Sequence, residues 1–348
     1  MKALRYLAHG QAPEIVEIEK PVPGPGQVLL KITAAGVCHS DEAVMNMPEK
    51  EYLERRYPFP LTLGHEATGI VHEIGHGVNT SFKVGDSVAV YGPWGCGRCK
   101  HCSMGMENYC TNAAAEGIRP PGLGSQGAMA EYMVVDDARH LVALGDLDPV
   151  KHVSLTDAGL TPYHAIKKSL PKLGAGTFAV VIGVGGLGHV GIQILKALAG
   201  ATVIALDLNE EKLELARQMG ADHVLLSDAD AAQKIRDLTG GLGANAVFDF
   251  VGANPTVALA QRVAALDSEV AIIGIGGGSM SLSFGNIAFN AAVRIPYWGS
   301  RGEFLEVIDL ARAGKIAVEV QTYTLENAPQ AYKDLSAGLI RGRAVIVP

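Results

Sequence analysis

The sequence predicts an α/β protein in which a doubly wound parallel sheet is inserted into a β-rich domain. Three observations carry this. Residues 1 to about 155 read as short apolar runs separated by Gly and Pro turns, and from about 156 apolar strands alternate with helices. After about 291 the alternation lapses, and the chain closes on a further apolar run, Ala344-Val345-Ile346-Val347. Short strands bounded by turn residues build antiparallel sheets, whereas strand–helix alternation builds right-handed crossovers on a parallel sheet. A chain of 348 residues is long for one core, so two domains are expected, 1–155 with 292–348 and 156–291.

In the first domain Pro23-Gly24-Pro25-Gly26 leads into a strand over 28–32, and Val84-Gly85-Asp86 into one over 87–90. The second domain reads as strand 178–183, helix 188–198, strand 201–206, amphipathic helix 210–219 and strand 223–226. Helix 231–238, strand 246–251, helix 256–265 and strand 270–274 follow. Residues 173–195 carry no Asp, Glu, Lys or Arg and so imitate a membrane span, but they hold seven glycines and His189. A buried strand, a glycine turn and a helix explain them better.

Hydrophobic residues make up 48% and charged residues 19%, an ordinary balance for a globular enzyme. The net charge of −7 argues against nucleic acid or an anionic membrane as the main partner. The opening Met1-Lys2-Ala3-Leu4-Arg5-Tyr6 lacks the apolar stretch of an export signal, which predicts a cytoplasmic protein. Clustered cysteines in such a chain favour metal over disulfides.

Three motifs carry chemistry. Cys96, Cys99, Cys102 and Cys110 lie within fifteen residues, close enough to converge on one metal ion; four thiolates closing a tetrahedron leave no open position, so this site braces a lobe. The opening gaps resemble an iron–sulfur run, but the last gap is seven and Thr111 follows rather than Pro. Gly183-Val184-Gly185-Gly186-Leu187-Gly188 stands between a predicted strand and a predicted helix, with Asp207 nineteen residues beyond Gly188. Glycines there allow a tight turn and close approach to a pyrophosphate, and an acid at 207 binds ribose hydroxyls and repels a 2′-phosphate, favouring NAD over NADP. Finally Cys38-His39-Ser40-Asp41, Gly64-His65-Glu66 and the segment 156–161 offer metal-type side chains, although spacing alone does not join them.

In this order the motifs, with Val84-Gly85-Asp86 and Tyr297-Trp298-Gly299, resemble the zinc-dependent medium-chain alcohol dehydrogenases over essentially the whole chain. The nearest likeness is to bacterial NAD-dependent secondary-alcohol dehydrogenases. The resemblance implies a Rossmann domain inserted into a GroES-like catalytic domain, a homodimer or homotetramer, NAD, and two zinc ions per subunit. The structural zinc falls to Cys96, Cys99, Cys102 and Cys110. The catalytic zinc falls to Cys38, His65 and Asp157, with one position open for water or alcohol. Most relatives carry Cys where Asp157 stands; thiolate, neutral imidazole and carboxylate still bring two negative charges.

By the same resemblance Glu66 is a reserve ligand, and Asp41 orients His65. Ser40 is the first proton acceptor, with His39 either extending the relay or touching pyrophosphate; the relay's usual closing histidine position is Ala43. Thr161, Arg341 and Lys212 match positions near nicotinamide, pyrophosphate and adenosine ribose. Trp298, Tyr297 and Tyr57 are candidates for the substrate pocket, and Ala43 enlarges it, which favours secondary or aryl alcohols. The rival readings are a polyol or threonine dehydrogenase of the same superfamily, a zinc-free quinone or enone reductase, and a non-catalytic NAD-binding sensor.

Overall fold

Strands Val28–Gly36 and Glu66–Ile74 pair antiparallel along nearly their whole length and form the spine of a seven-stranded sheet. The computed structural model describes residues 1–348 and divides into two units. The first comprises Met1–Asp157, Ser300–Arg312 and Val318–Pro348; the second comprises Ala158–Gly299 and Ala313–Ala317.

In the first unit the sheet runs Val320–Thr324, Arg343–Val347, Val28–Gly36, Glu66–Ile74, Ser87–Val90, Leu141–Ala143, with Tyr132–Val135 also pairing Val28–Gly36. The alternation of Val28–Gly36 sends Val28, Leu30 and Ile32 into a core shared with Leu4, Tyr6, Tyr52, Leu61, Met129 and Ile346. The C-terminal strand Arg343–Val347 enters antiparallel, Val345 opposite Gly36, and this delivers Arg343 beside Glu66.

The second unit is a six-stranded parallel sheet in the order His223–Leu226, Thr202–Asp207, Phe178–Ile182, Ala244–Asp249, Ala264–Ile272, Ala292–Arg294. The chain starts in the middle and winds outward in both directions. That is the Rossmann arrangement, whose switch point lies between Phe178–Ile182 and Ala244–Asp249. The unit reaches residue 299 rather than the expected 291, because Ala292–Arg294 pairs with Ala264–Ile272 and completes the sheet. Helix Asn254–Val263 starts two residues before the expected 256, since Pro255 sits in its first turn, where no N–H is needed. The chain then passes directly into strand Ala264–Ile272, so this strand begins well before the expected 270. The charge-poor stretch 173–195 resolves into strand Phe178–Ile182, the glycine turn and helix Gly188–Leu198, and no helix is long and apolar enough to cross a membrane.

Candidate metal centres and dinucleotide turn

Cys38 closes the end of Val28–Gly36 and caps helix His39–Met45; its N–H donates to Asp41 Oδ2 (3.2 Å) one turn on. Gly64, at φ 95°, brings His65 in from the next segment, where an added Cβ would stand 2.9 Å from the Met129 backbone nitrogen. Asp157 ends the short helix Val153–Thr156, its N–H donating to Ser154 O (3.2 Å). The donor atoms of Cys38, His65, Glu66 and Asp157 all fall within 4.8 Å of one another.

The spacings fit a metal. Cys38 Sγ lies 3.7 Å and His65 Nε2 3.3 Å from Asp157 Oδ2. Tetrahedral zinc with metal–sulfur bonds of about 2.3 Å and metal–nitrogen or –oxygen bonds of about 2.0–2.1 Å sets such edges at about 3.3–3.6 Å. His65 Nδ1 is 2.8 Å from Asp41 Oδ1, which leaves Nε2 directed at the cluster. Burial disfavours a charged His65, yet Asp41, Asp157 and Cys38 outweigh it and raise its pKa well above the usual imidazole value. The surroundings therefore favour positive charge at this point, which is what a divalent cation supplies.

Sequence reasoning missed two supporting residues. Tyr332, from helix Ala328–Ser336, donates its hydroxyl to Asp41 Oδ2 (2.9 Å), so Asp41 is held by Cys38, His65 and Tyr332 together. Arg343 pairs with both carboxylate oxygens of Glu66 and reaches within 3.6 Å of Asp157 Oδ2. An arginine opening an otherwise apolar strand was the available signal, because a buried guanidinium needs a buried acid. Burial, only partly offset by Arg343, lifts the Glu66 carboxyl above its usual pKa.

The four-cysteine lobe fits a second metal. Sulfur separations are 3.4 Å for Cys99–Cys102, 3.9 Å for Cys96–Cys102 and 4.0 Å for Cys99–Cys110. A tetrahedron with about 2.3 Å metal–sulfur bonds has edges of about 3.8 Å. Backbone N–H groups of Cys99 and Cys96 point at the sulfurs of Cys96 and Cys110 (both 3.3 Å). The N–H groups of Cys102 and Thr111 pull the Cys99 thiol down to about 5, whereas burial pushes Cys102 up. Behind the lobe, buried Glu107 accepts from Gly95 N (2.8 Å) and His140 Nε2 (3.0 Å), with His140 Nδ1 on Asp136 (2.7 Å).

In the second unit the turn 183–188 links Phe178–Ile182 to helix Gly188–Leu198. A Cβ on Gly188 would stand 1.9 Å from Gly183 O, and Gly185 faces open space. Gly186 and Leu187 complete the half-exposed part of the turn. Asp207 ends the neighbouring strand and accepts from Val184 N (2.8 Å) and Asn209 N (3.1 Å). Lys212 lies on helix Glu210–Gln218, and Thr161 is buried in helix Leu160–Ser169. Trp298 is buried, edge-on to the half-exposed Tyr297 (6.0 Å).

The remaining first-unit candidates lie as follows. Ser40 Oγ is 3.6 Å from Cys38 Sγ, and the exposed His39 lies 3.8 Å from Glu42. Ala43 is exposed on helix His39–Met45. Tyr57 packs edge-on against Tyr52 (5.3 Å), and Arg341 pairs at 3.8 Å with Glu319.

Comparison with known proteins follows the same division. The family model for the alcohol dehydrogenase GroES-like domain matches residues 24–146, and that for zinc-binding dehydrogenases matches 186–313. The chain is 37% identical to an NAD-dependent alcohol dehydrogenase of Sulfurisphaera tokodaii, over all of both chains. It is 34% identical to a D-arabinose 1-dehydrogenase (NADP(+)) of Saccharolobus solfataricus, over 96% of this chain and 94% of that one. Acetophenone reductase from Geotrichum candidum, solved with NAD, matches with a TM-score of 0.87 at 32% identity, over all of this chain and 97% of its own.

Proposed function

The chain belongs to the zinc-dependent medium-chain alcohol dehydrogenases, and from that premise we propose that Cys38, His65 and Asp157 hold its catalytic zinc and Ser40 takes the substrate proton. The enzyme transfers hydride between NAD and an alcohol–ketone or alcohol–aldehyde pair. When bound, zinc supplies a Lewis acid that eases deprotonation of an alcohol, and NAD supplies the hydride acceptor. The single observation that carries the assignment is the buried cluster in which Asp41 turns His65 Nε2 towards Cys38 and Asp157.

The chain's own residues then have distinct tasks. Asp41 fixes the His65 ring and its tautomer, and Tyr332 and the Cys38 N–H fix Asp41. Arg343 holds Glu66, a fourth donor, against the cluster. Ser40, beside Cys38, accepts the alcohol proton and passes it on, with His39 next in the relay. Cys96, Cys99, Cys102 and Cys110 hold the structural zinc. The turn with Gly183, Gly185, Gly186, Leu187 and Gly188 receives the pyrophosphate, assisted by Arg341; Asp207 and Lys212 bind the adenosine ribose, and Thr161 meets the nicotinamide.

Secondary or aryl alcohols are the proposed substrates. Small Ala43, aromatic Trp298, Tyr297 and Tyr57, and the likeness to an acetophenone reductase support this. The likeness to an arabinose dehydrogenase favours a sugar or polyol as the second reading. A panel of 1-phenylethanol, 2-propanol, ethanol and D-arabinose, followed by NADH absorbance alongside metal counting, separates them. Two zincs per subunit and preference for the first two alcohols are expected; preference for arabinose would replace the reading.

A homodimer or homotetramer is expected, supported by exposed Phe284, Phe289 and Ile295, and light scattering on the purified enzyme tests it. Five free cysteines, four of them in one metal-type cluster, support a cytoplasmic, reducing location.

A further inference from the structure

Asp249 ends the strand beside the dinucleotide turn and is fully buried, and no step of the reaction above uses it. Its two oxygens are unequal. Oδ1 accepts from both Val251 N and Gly252 N (each 2.9 Å), Oδ2 has no backbone partner, and the Thr256 side chain also acts on the carboxyl. A buried acceptor taking two N–H groups from the next residues folds the chain back on itself, so Phe250-Val251-Gly252 forms a fixed shelf.

The shelf is clamped from both sides. Ile273 N and Gly274 N donate to Asp249 O (2.8 and 3.0 Å), Gly276 N to Val251 O (3.0 Å) and Gly278 N to Gly252 O (2.7 Å). Glycine is required for this backbone-on-backbone approach, since a Cβ on Gly274 would lie 2.1 Å from the Val251 carbonyl carbon. On the other side the shelf supports the turn. Val251 Cγ2 occupies the space that a Cβ on Gly183 would need (2.6 Å), and Phe250 ring atoms stand 3.5 and 3.0 Å from where Cβ atoms on Gly188 and Gly191 would lie.

We propose that Asp249 is a positioning residue for the cofactor: its carboxyl folds Phe250-Val251-Gly252 into the support that sets the height of the 183–188 turn. This rests on the reading of that turn as the dinucleotide site. Burial raises the Asp249 pKa, in keeping with an oxygen pair that works as acceptor and filler rather than as an exposed charge. Asn keeps the Oδ1 acceptor and the volume; Ala removes both.

The test is NADH binding by fluorescence, with steady-state kinetics, on the zinc-loaded enzyme. Asp249→Ala should weaken NADH binding about tenfold and raise KM for NAD, with kcat at saturating NAD held within about twofold, and Asp249→Asn should restore binding. A role confined to stability would lower Tm and leave this split unmoved. Unchanged NADH affinity in Asp249→Ala, or equal loss in Asp249→Asn, overturns the proposal. If Asp249→Ala does not fold, Val251→Ala trims only the contact with Gly183 and should weaken NADH binding; unchanged affinity there is equally contrary. Gly188→Ala tests the underlying reading separately: normal NADH binding in it removes the turn assignment itself, whereas loss in Gly188→Ala with none in the Asp249 and Val251 variants removes only the proposal.

Discussion

The cysteines of the 96–110 lobe lie within fifteen residues of one another and are mostly half-exposed, whereas Cys38, His65, Glu66 and Asp157 come from three separate segments and are largely buried. In the lobe, N–H groups from neighbouring residues steady the sulfurs. In the other cluster, side chains from distant elements do the steadying, notably Tyr332 on Asp41 and Arg343 on Glu66. A local donor set can close around an ion and act as a staple. A dispersed set depends on the whole unit, and that dependence lets surrounding groups tune orientation and charge.

The widest break in this comparison comes from removing one donor on each side. His65→Ala is expected to lower kcat/KM about a thousandfold or more, with zinc falling from two to one per subunit. Cys99→Ser, also losing one zinc, is expected to lower Tm first and retain measurable turnover in the molecules that stay folded. Equal activity losses in the two variants would erase the distinction.

Next in size is the effect expected of the proposed proton path through Ser40, beside the dispersed cluster. Ser40→Ala should retain both zincs while kcat falls about a hundredfold; near-normal turnover would remove Ser40 from the relay. Smaller again is the orientation effect: Asp41→Asn should weaken catalytic-metal affinity about tenfold, read by chelator competition, with the four-cysteine metal unaffected.

The smallest effect concerns the anchor behind the lobe. Burial opposes the charged form of His140, but Asp136 and Glu107 prevail and raise its pKa; burial likewise opposes Glu107 ionisation, but His140 and Arg139 prevail and lower it. The stability His140 lends is therefore complete below its ordinary imidazole value and is lost as pH climbs through its raised one. Glu107 contributes fully above its ordinary carboxyl value and loses this as pH falls through its lowered one. Tm should peak between these limits, and His140→Asn should flatten the alkaline side of a Tm–pH profile; an unchanged slope would dismiss the anchor.

Legibility in the sequence tracked the same contrast. Strands over 87–90 and 223–226 and helices over 188–198 and 231–238 were read at their observed bounds, because apolar periodicity and glycine breaks are local signals. The four cysteines were equally visible. Tyr332 was not, because its partner Asp41 lies 291 positions away and a tyrosine in an amphipathic helix carries no mark of that pairing. Arg343 lies 277 positions from Glu66, and the arginine matched by family resemblance is its neighbour Arg341, before the strand begins. Arg343 opens the strand and is buried, whereas Arg341 precedes it and is exposed, a boundary set by the pairing with Val28–Gly36.

The Arg343–Glu66 pair also carries a consequence for descent. Gly36 faces Glu66 across the sheet, and a Cβ there would fall 1.7 Å from a Glu66 carboxylate oxygen. A side chain at position 36 would displace the Glu66 carboxylate, and even a shortened residue 66 would keep its Cβ 2.9 Å away. Loss of the Glu66 acid would leave Arg343 only its longer contact with Asp157. A change at position 36, 66 or 343 is therefore felt at the other two, and libraries that vary one residue at a time should recover few substitutions at Gly36.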